Sequence, residues 1–364
     1  MNRRQFISSS GAVAVALSNK LSMDIAPAAP SKQGLLKLGT ETQMDDTRLK
    51  SLARFGLGNV GGPPPIADGR LYATVDELKR ARDVAEKNGI SYDLVTPPIL
   101  ASSHIDREPH PAIMLADSPE RDRDIEAIQT MIKNCAAAGV PGVKYNMSIL
   151  GVLRTSRVPG RGDAMYSAWN LKAAHPATPL TRAGVVTADR FWERINYFLE
   201  RVIPVAEEYK VRMACHPQDP GVPPEGYQGV DRVLGTVDGL KKFISIKESP
   251  YHGLNFCQGT VSEMLQDPRK EIFDVIRYFG LRKKIFNVHF RNIRGHRDDF
   301  VEVYPDEGDV DFVKAIQVYK EIGYSGMLMP DHVPQVADDP GGQQSFAFCF
   351  GYIRALIQAV EQMS

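Results

Sequence analysis

From about Lys50 onward, short apolar runs alternate with longer amphipathic segments. Apolar runs bounded by Gly, Pro, Asn or Asp are typical of buried strands, whereas apolar residues three or four positions apart are typical of helices. The pattern predicts helices over 74–89, 118–139, 187–210, 236–246, 271–280, 309–323 and 347–363. Thr74 and Ser118 are the predicted N-caps of the first two helices. It predicts strands over 54–60, 90–99, 140–147, 211–217, 253–257, 284–293, 299–303 and 326–332.

This order of elements predicts the fold class. Strands that alternate with helices form parallel sheets, and eight such units favour a closed (β/α)8 TIM barrel, with the remainder of the chain after residue 30 as one catalytic domain. A doubly wound open sheet is the alternative. No G-x-G-x-x-G motif follows the first predicted strand, which argues against a dinucleotide-binding fold.

Composition narrows the class of partner. The 364 residues carry 44 basic and 44 acidic side chains, so the zero net charge gives no reason to expect nucleic acid. No apolar run is long enough for stable membrane insertion. We therefore expect a small-molecule ligand, and a homo-oligomer remains open.

The first thirty residues have the pattern of an export signal. Arg3 and Arg4 precede the apolar segment Gly11–Leu17, and small residues follow in "APAAP" at 26–30. The paired arginines resemble a twin-arginine signal, which predicts the twin-arginine export machinery as a partner and a periplasmic or secreted location. A disordered basic tail is the alternative interpretation.

Metal-binding side chains stand at the ends of four predicted strands. His216, Cys257, His289 and Asp331 end the fourth, fifth, sixth and eighth of these strands. The carboxyl ends of barrel strands converge on one rim, where active sites of this fold lie. Two imidazoles, a thiolate and a carboxylate suit a divalent transition metal. Taken singly, each residue is more often a core or capping residue, but four at equivalent positions predict a metal site.

Several segments carry a family resemblance over roughly residues 50–360. "GVKYNMSILGVLRT", "HPQDPGVPP", "NFCQGT", "VHFRNI", "GDVDF" and "PDHVP" resemble, in this order, the mannonate dehydratase family. The resemblance implies a xylose-isomerase-like barrel that dehydrates D-mannonate to 2-keto-3-deoxy-D-gluconate. It also implies a divalent metal, most often Mn2+, held by His216, Cys257, His289 and Asp331, with Fe2+, Co2+, Ni2+ or Zn2+ as alternatives.

The sequence also departs from that family. Val301 and Pro305 stand where the family has histidines, and Ala347 stands where it has a tyrosine. These changes affect the groups that contact substrate or move protons, and they leave the four metal-binding residues intact. The exact substrate therefore stays open at this point.

Neighbouring polar residues are candidates for catalysis and substrate binding. Two of the predicted catalytic residues are His332, which follows the predicted ligand Asp331, and Tyr145, near the end of the third predicted strand. The other two are Arg291, which lies on the same strand as His289, and Glu302. Predicted substrate-binding residues are Asn146, Arg154, Arg157 and Asp219. For each, a structural role at the barrel rim is the alternative.

Residues 151–186 stand outside the regular pattern. They contain four arginines and little periodicity, and long insertions after barrel strands are often functional. We expect a lid that carries Arg154 and Arg157 over the rim. An oligomer contact or a solvated loop is the alternative.

Three functions follow from these features. The first is a metal-dependent hydro-lyase that acts on D-mannonate or a related sugar acid. The second is a metal-dependent sugar isomerase, epimerase or keto-glycoside lyase on the same barrel. The third is a metal- or solute-binding protein without turnover.

Overall fold

The computed structural model describes residues 36–67, 69–174 and 179–363. Within this part, eight parallel strands form a closed barrel with helices around it, which confirms the predicted fold class. The barrel strands are β1 (Lys37–Glu41), β2 (Asn59–Gly62), β3 (Ser91–Val95), β4 (Gly142–Asn146), β7 (Arg212–His216), β8 (His252–Cys257), β9 (Ile285–His289) and β12 (Met327–Met329). Around the barrel they follow the order β1-β12-β9-β8-β7-β4-β3-β2.

A second sheet lies outside the barrel. Its four antiparallel strands, in the order β10-β11-β6-β5, are β5 (Ser156–Pro159), β6 (Met165–Asn170), β10 (Asn292–His296) and β11 (Asp299–Val303). Two of these strands, β5 and β6, come from the segment 151–186. This segment was expected to be a lid without regular structure, and it contains a pair of antiparallel strands. The other two form a hairpin that follows β9.

Ten α-helices surround these sheets in the described part of the chain. They are α1 (Asp46–Ala53), α2 (Val75–Lys87), α3 (Ala112–Leu115), α4 (Glu120–Ala138), α5 (Ala188–Tyr209), α6 (Val237–Ser245), α7 (Gln258–Ser262), α8 (Pro268–Leu281), α9 (Phe312–Glu321) and α10 (Gln343–Gln362). No helix among the described residues is long and apolar enough to cross a bilayer.

The predicted strands differ from the observed ones at several places, including the predicted strand 54–60, which overlaps β2 only at residues 59 and 60. The barrel begins with β1, which the apolar pattern missed because its inward positions are Gly39 and Glu41 rather than large hydrophobic residues. A Cβ on Gly39 would lie 2.5 Å from the Met327 sulfur, so the close approach of β12 requires glycine there. Conversely, 299–303 is β11 of the outer sheet. His216, Cys257 and His289 therefore end the fifth, sixth and seventh barrel strands, and the rim they share is unchanged.

The helix caps are partly as predicted. The Thr74 side chain accepts a hydrogen bond from the Glu77 amide, and the Glu77 carboxylate accepts one from the Thr74 amide, so α2 begins with a capping box. Ser118 does not cap α4, which begins at Glu120 after Pro119 and has no side-chain cap.

A buried histidine joins β8 to α6 on the side of the barrel away from the strand ends. The Nε2 of His252 donates to the Phe243 carbonyl at 2.9 Å, and its ring packs against the Phe243 ring with centroids 4.6 Å apart. Burial and, to a lesser extent, the nearby Lys284 ammonium together lower the pKa of His252 to about 4, although the hydrogen bond to Phe243 opposes them. The imidazole is therefore neutral in the folded protein at pH values where it is charged in the unfolded chain.

The lowered pKa of His252 predicts that the protein loses stability in mild acid. The unfolded chain takes up the proton near the ordinary histidine pKa of about 6.5, whereas the folded protein takes it up only near pH 4. The free energy of unfolding should therefore fall by about 2 kcal/mol from pH 7 to pH 5 through His252 alone. Urea unfolding of His252→Leu should show a smaller fall over that interval than wild type. The exposed His296, changed to Gln, is the control and should keep the wild-type slope; equal slopes in all three proteins would contradict the assignment.

Candidate metal centre and active site

The four predicted ligands meet at the carboxyl ends of adjacent barrel strands. His216, Cys257 and His289 are the last residues of β7, β8 and β9, and Asp331 follows β12 by two residues. One potential ligand atom from each lies within 4.8 Å of all the others. Atoms that share one transition-metal ion lie no more than about 4.6 Å apart, twice a bond of about 2.3 Å, so the cluster is already close to the size of a coordination shell.

Local hydrogen bonds orient His216 for coordination. Its Nδ1 donates to the Pro217 carbonyl at 2.6 Å, which leaves the lone pair of Nε2 available. Burial lowers the pKa of His216, so the ring is neutral at neutral pH, as a metal ligand must be.

Cys257 lies where the sequence changes from an apolar strand to a short helix. Its sulfur accepts a hydrogen bond from the Thr260 amide at 3.4 Å. Burial would raise the pKa of this thiol, but the Arg291 guanidinium and His289 outweigh burial and lower it. Cys257 therefore favours the thiolate form that binds metals, whereas burial raises the pKa of the thiol of Cys215 to about 12.

Two buried amides support His289 from below. The Nε2 of His289 lies 3.1 Å from the Asn255 side-chain amide, which in turn contacts the Asn287 amide. The Nδ1 of His289 lies 3.1 Å from the Asp331 carboxylate. The amides fix the ring plane so that Nδ1 faces the centre of the cluster.

The electrostatics of the cluster fit a cation. Burial lowers the pKa of His289, but the Asp331 and Cys257 anions reverse this and raise it, so the site attracts positive charge. A divalent ion attracted by the same two anions would displace that proton. A thiolate, two imidazoles and a carboxylate are a ligand set suited to Mn2+, Fe2+, Co2+, Ni2+ or Zn2+.

Two arginines and three carboxyl groups form a buried ionic network beside this cluster. Arg291 contacts the carboxyl groups of Asp219 and Glu263, each at 2.7 Å, and that of Glu302 at 3.0 Å. Arg154 contacts Asp219 and Glu302. Burial raises the pKa of Glu263 well above its usual value, which keeps it protonated, whereas the two arginines hold the pKa of Asp219 below its usual value despite burial.

This network shows where three residues with predicted roles lie. Arg291 was predicted to be catalytic, but only 4% of its side chain is exposed and its guanidinium is engaged by protein carboxyl groups. Asp219 and Arg154 were expected to bind substrate, but they form an ion pair with each other, and they also pair with Arg291 and Glu302, respectively. Their geometry indicates that they position the loops around the metal cluster.

His332 lies between the cluster of four predicted ligands and this ionic network, and it contacts both. Its Nε2 lies 3.1 Å from Asp331 and its Nδ1 lies 3.3 Å from Glu302, and 42% of its side chain is exposed. Desolvation alone would lower the pKa of His332, but the two carboxylates outweigh it and raise the pKa well above its usual value. Burial would raise the pKa of Glu302, but His332 and the arginines lower it to about 2. Glu302 thus holds and orients a protonated His332.

A cavity of about 80 Å3 adjoins the cluster. Its lining includes Asn146 and Asp219, two of the predicted substrate-binding residues, together with three of the predicted ligands and His332. Tyr145 does not face this cavity. Since successive side chains on a strand point to opposite faces, Tyr145 points to the helical layer, where its ring lies 5.4 Å from that of Phe198. The structure therefore places the Tyr145 side chain outside the cavity, away from the predicted ligands.

The predicted pair of lid arginines separates in the structure. Arg154 reaches the rim, whereas Arg157 is exposed on β5, where it pairs with Ser167 of β6. Among the described residues of this segment, those that line the cavity are Gly151 and Val152.

Sequence reasoning missed four polar residues that project into the barrel. Lys144 and Glu41 form an ion pair at 3.0 Å, and Asn255 and Asn287 lie beneath His289. Candidate residues were sought at strand ends, and Lys144, Asn255 and Asn287 each lie two residues before the end of their strand. Glu41 ends β1, a strand that the sequence pattern did not predict. Polar residues at alternate positions of otherwise apolar strands were the available signal.

Comparisons with known proteins agree with the barrel fold and show the family. Fold and site together define a (β/α)8 barrel with a cluster of potential metal ligands at the carboxyl ends of its strands. The family model of D-mannonate dehydratase (UxuA) matches residues 170–364, more than half of the chain. The chain therefore belongs to the D-mannonate dehydratase family.

Individual relatives show how far the similarity extends. A mannonate dehydratase of Thermotoga petrophila is 28% identical over 345 residues, which cover 84% of this chain and 91% of that protein. The crystal structure of mannonate dehydratase from Streptococcus suis serotype 2 superposes with a TM-score of 0.75 at 21% identity, over 90% of this chain and 95% of that one. A xylose isomerase domain protein from Planctomyces limnophilus shares the fold with a TM-score of 0.59 at 13% identity, over 91% of this chain and 100% of that one.

Proposed function

We propose that this protein is a metal-dependent hydro-lyase that dehydrates a sugar acid, with D-mannonate to 2-keto-3-deoxy-D-gluconate as the first reaction to test. Family membership supports the reaction class. The single observation that carries the proposal is the convergence of His216, Cys257, His289 and Asp331 within 4.8 Å at the catalytic rim of the barrel.

The four clustered residues are proposed as the metal ligands. Mn2+ is the metal that the family resemblance favours, and the donor set accepts Fe2+, Co2+, Ni2+ or Zn2+ as well. A divalent cation held there supplies Lewis-acid stabilisation of the negative charge that develops at the carboxylate end of the substrate.

His332 is proposed as the proton donor. Dehydration removes a proton from the α-carbon and hydroxide from the β-carbon, and the resulting enol tautomerises to the 2-keto acid. The protonated imidazole of His332, which its two carboxylate neighbours maintain, can give its proton to the departing hydroxyl so that it leaves as water. Glu302 keeps the ring in position, and Asn146 offers an amide to substrate hydroxyl groups from the cavity wall.

The departures from the family pattern predict weak turnover of D-mannonate. Val301 lies on β11 and packs in the apolar cluster of the outer sheet, and the Pro305 carbonyl accepts a hydrogen bond from Asn292. Ala347 lies on α10. None of these side chains can exchange a proton, so a related sugar acid is an equally strong candidate substrate.

The test is an assay of metal-loaded protein on a panel of sugar acids. We expect formation of a 2-keto-3-deoxy acid with added Mn2+, accompanied by deuterium exchange at the substrate α-carbon in D2O. Exchange without dehydration would indicate an epimerase or isomerase on the same barrel. Neither signal on any sugar acid, with metal bound, would refute the hydro-lyase proposal and favour a binding protein.

Export is a separate proposal. Residues 1–30 lie outside the described part of the chain, and the Arg3–Arg4 pair before a short apolar run supports transport of the folded, metal-loaded protein by the twin-arginine machinery. Changing both arginines to lysine preserves the charge, and we expect the precursor to accumulate inside the cell. Changing Arg48 and Arg54 to lysine is the control and should leave the periplasmic yield unchanged. An undiminished yield from the Arg3→Lys/Arg4→Lys protein would exclude this route.

A further inference from the structure

An ion pair closes the side of the barrel opposite the metal cluster. The four proposed ligands occupy four adjacent strands, and β4 and β1 flank that arc on its two sides. Lys144 of β4 reaches Glu41 at the end of β1, with Nζ 3.0 Å from the carboxylate. The pair therefore spans the barrel interior and completes the ring of polar side chains around the cavity.

The pair lies at the floor of the cavity. In the pairing of β4 with β7, Asn146 is level with His216, and Lys144 is level with Ala214, one inward-facing position deeper. Continuing the pairing of β1 with β12, in which Lys37 is level with Met327, places Glu41 beside Asp331. Lys144 is among the residues that line the cavity. The ammonium group thus approaches the metal cluster from below.

The stability of the fold does not require an ion pair in this place. Removing two charges from water is expensive, and apolar residues of similar size often stabilise a barrel interior as well or better. Here 11% of the Lys144 side chain and 28% of the Glu41 side chain are exposed, and the other carboxylate oxygen of Glu41 has no hydrogen-bond partner in the described structure. A charged pair that faces a cavity beside a metal cluster is typical of a functional group.

Among the described residues, Lys144 is the lysine or arginine that lines the cavity, and it has unused donors. Arg291 and Arg154 are engaged by the carboxyl groups of Asp219, Glu263 and Glu302. An ammonium group has three donors, and in the described structure Lys144 uses one of them on Glu41. An anionic ligand that enters the cavity would therefore meet Lys144 before it could displace an arginine from its carboxylates.

Building on the proposed function, we propose that Lys144 binds a carboxylate oxygen of the substrate and so selects sugar acids over neutral sugars. Glu41 is a positioning residue that holds the flexible lysine side chain against the barrel wall. The same contact offsets the charge that develops on the carboxylate oxygens as the α-proton leaves.

Equilibrium binding of an unreactive ligand pair tests this assignment. The acid is 3-deoxy-D-mannonate, which lacks the hydroxyl that would leave, and its primary amide is the neutral counterpart. The measured quantity is the ratio of the two Kd values on metal-loaded protein. A charge-assisted hydrogen bond corresponds to roughly a 10- to 100-fold effect, so Lys144→Met should lower the preference for the acid by that factor, with metal content unchanged. Lys37→Met, at the opposite end of the barrel, is the matched control and should keep the wild-type ratio.

Variants of Glu41 separate positioning from stability. Glu41→Gln retains an oxygen that accepts from Lys144 and should keep the ratio within a few-fold of wild type, whereas Glu41→Leu should lower it. Because a lone Glu41 could destabilise Lys144→Met, the double change Lys144→Met/Glu41→Gln removes both charges and should show the same loss of acid preference.

The outcomes distinguish this inference from the proposed function. A wild-type protein that shows no preference for the acid and forms no 2-keto-3-deoxy acid would refute the proposed function, and this inference with it. If Lys144→Met and the double variant keep the wild-type preference for the acid, the role of Lys144 is refuted and the proposed function is not.

Discussion

Replacing Cys257 by Ser, or His289 by Ala, is expected to weaken metal binding by more than about 100-fold. Changing a residue that only supports a ligand weakens binding by up to about 100-fold, and loss of a ligand itself should cost more. Each change removes one of four donors gathered within 4.8 Å. Serine is the stricter test at Cys257, since it keeps the size of the side chain but is not deprotonated at neutral pH. Elemental analysis after dialysis, together with titration of Mn2+ into the apoprotein, measures the loss.

A cysteine outside the cluster provides the control for this experiment. Cys349 is buried against the outer sheet, and its thiol has a pKa that burial raises to about 12. Cys349→Ala should therefore bind the same amount of metal as wild type. Wild-type metal content in both Cys257→Ser and His289→Ala would show that the ion, if bound, lies elsewhere.

His332→Asn is expected to lower kcat by roughly 10²- to 10⁴-fold, the range for loss of a general acid or base. Asparagine can keep a hydrogen bond to Asp331 or Glu302 but cannot give a proton to a leaving hydroxyl. Since His332 is not among the four clustered donors, the metal content should stay at the wild-type level. Initial rates of keto-acid formation on the best substrate of the panel give kcat and KM separately.

The same measurements on two other variants locate the effect. Glu302→Gln keeps the hydrogen bond to His332 but removes a charge that maintains its proton, so kcat should fall by less than in His332→Asn. His296→Asn, on the exposed hairpin of the outer sheet, should match wild type. A His332→Asn protein with wild-type kcat would remove His332 from the reaction and leave the metal assignment untouched.

The alternation of apolar runs and amphipathic segments was enough to predict a barrel. Parallel strands with helical crossovers bury their apolar residues in few ways, so eight such units specify a closed sheet. The same geometry brings the ends of all strands to one rim, and for this reason His216, Cys257, His289 and Asp331 could be grouped although up to 42 residues separate neighbours along the chain.

The assignment of each strand to a sheet could not be predicted in the same way. The segment 299–303 has the length and apolar content of a barrel strand, yet it pairs antiparallel with β10 and β6 outside the barrel. Strand β1 has an ordinary place in the barrel but presents Gly39 and Glu41 inward. A periodic pattern reports which side of a strand is buried, and it does not report which partner covers it.

The sequence by itself therefore determined the barrel, the rim and the four residues that cluster there, because these follow from periodicity and from residue types at strand ends. Only the tertiary structure decided which charged groups remain available to a ligand. Arg154, Arg291 and Asp219 are as plausible in sequence as Lys144, but in the folded chain they are engaged by one another and by Glu263 and Glu302, while Tyr145 faces the helices. Whether a charge is free depends on partners contributed by distant strands, and those partners come together only when the barrel closes.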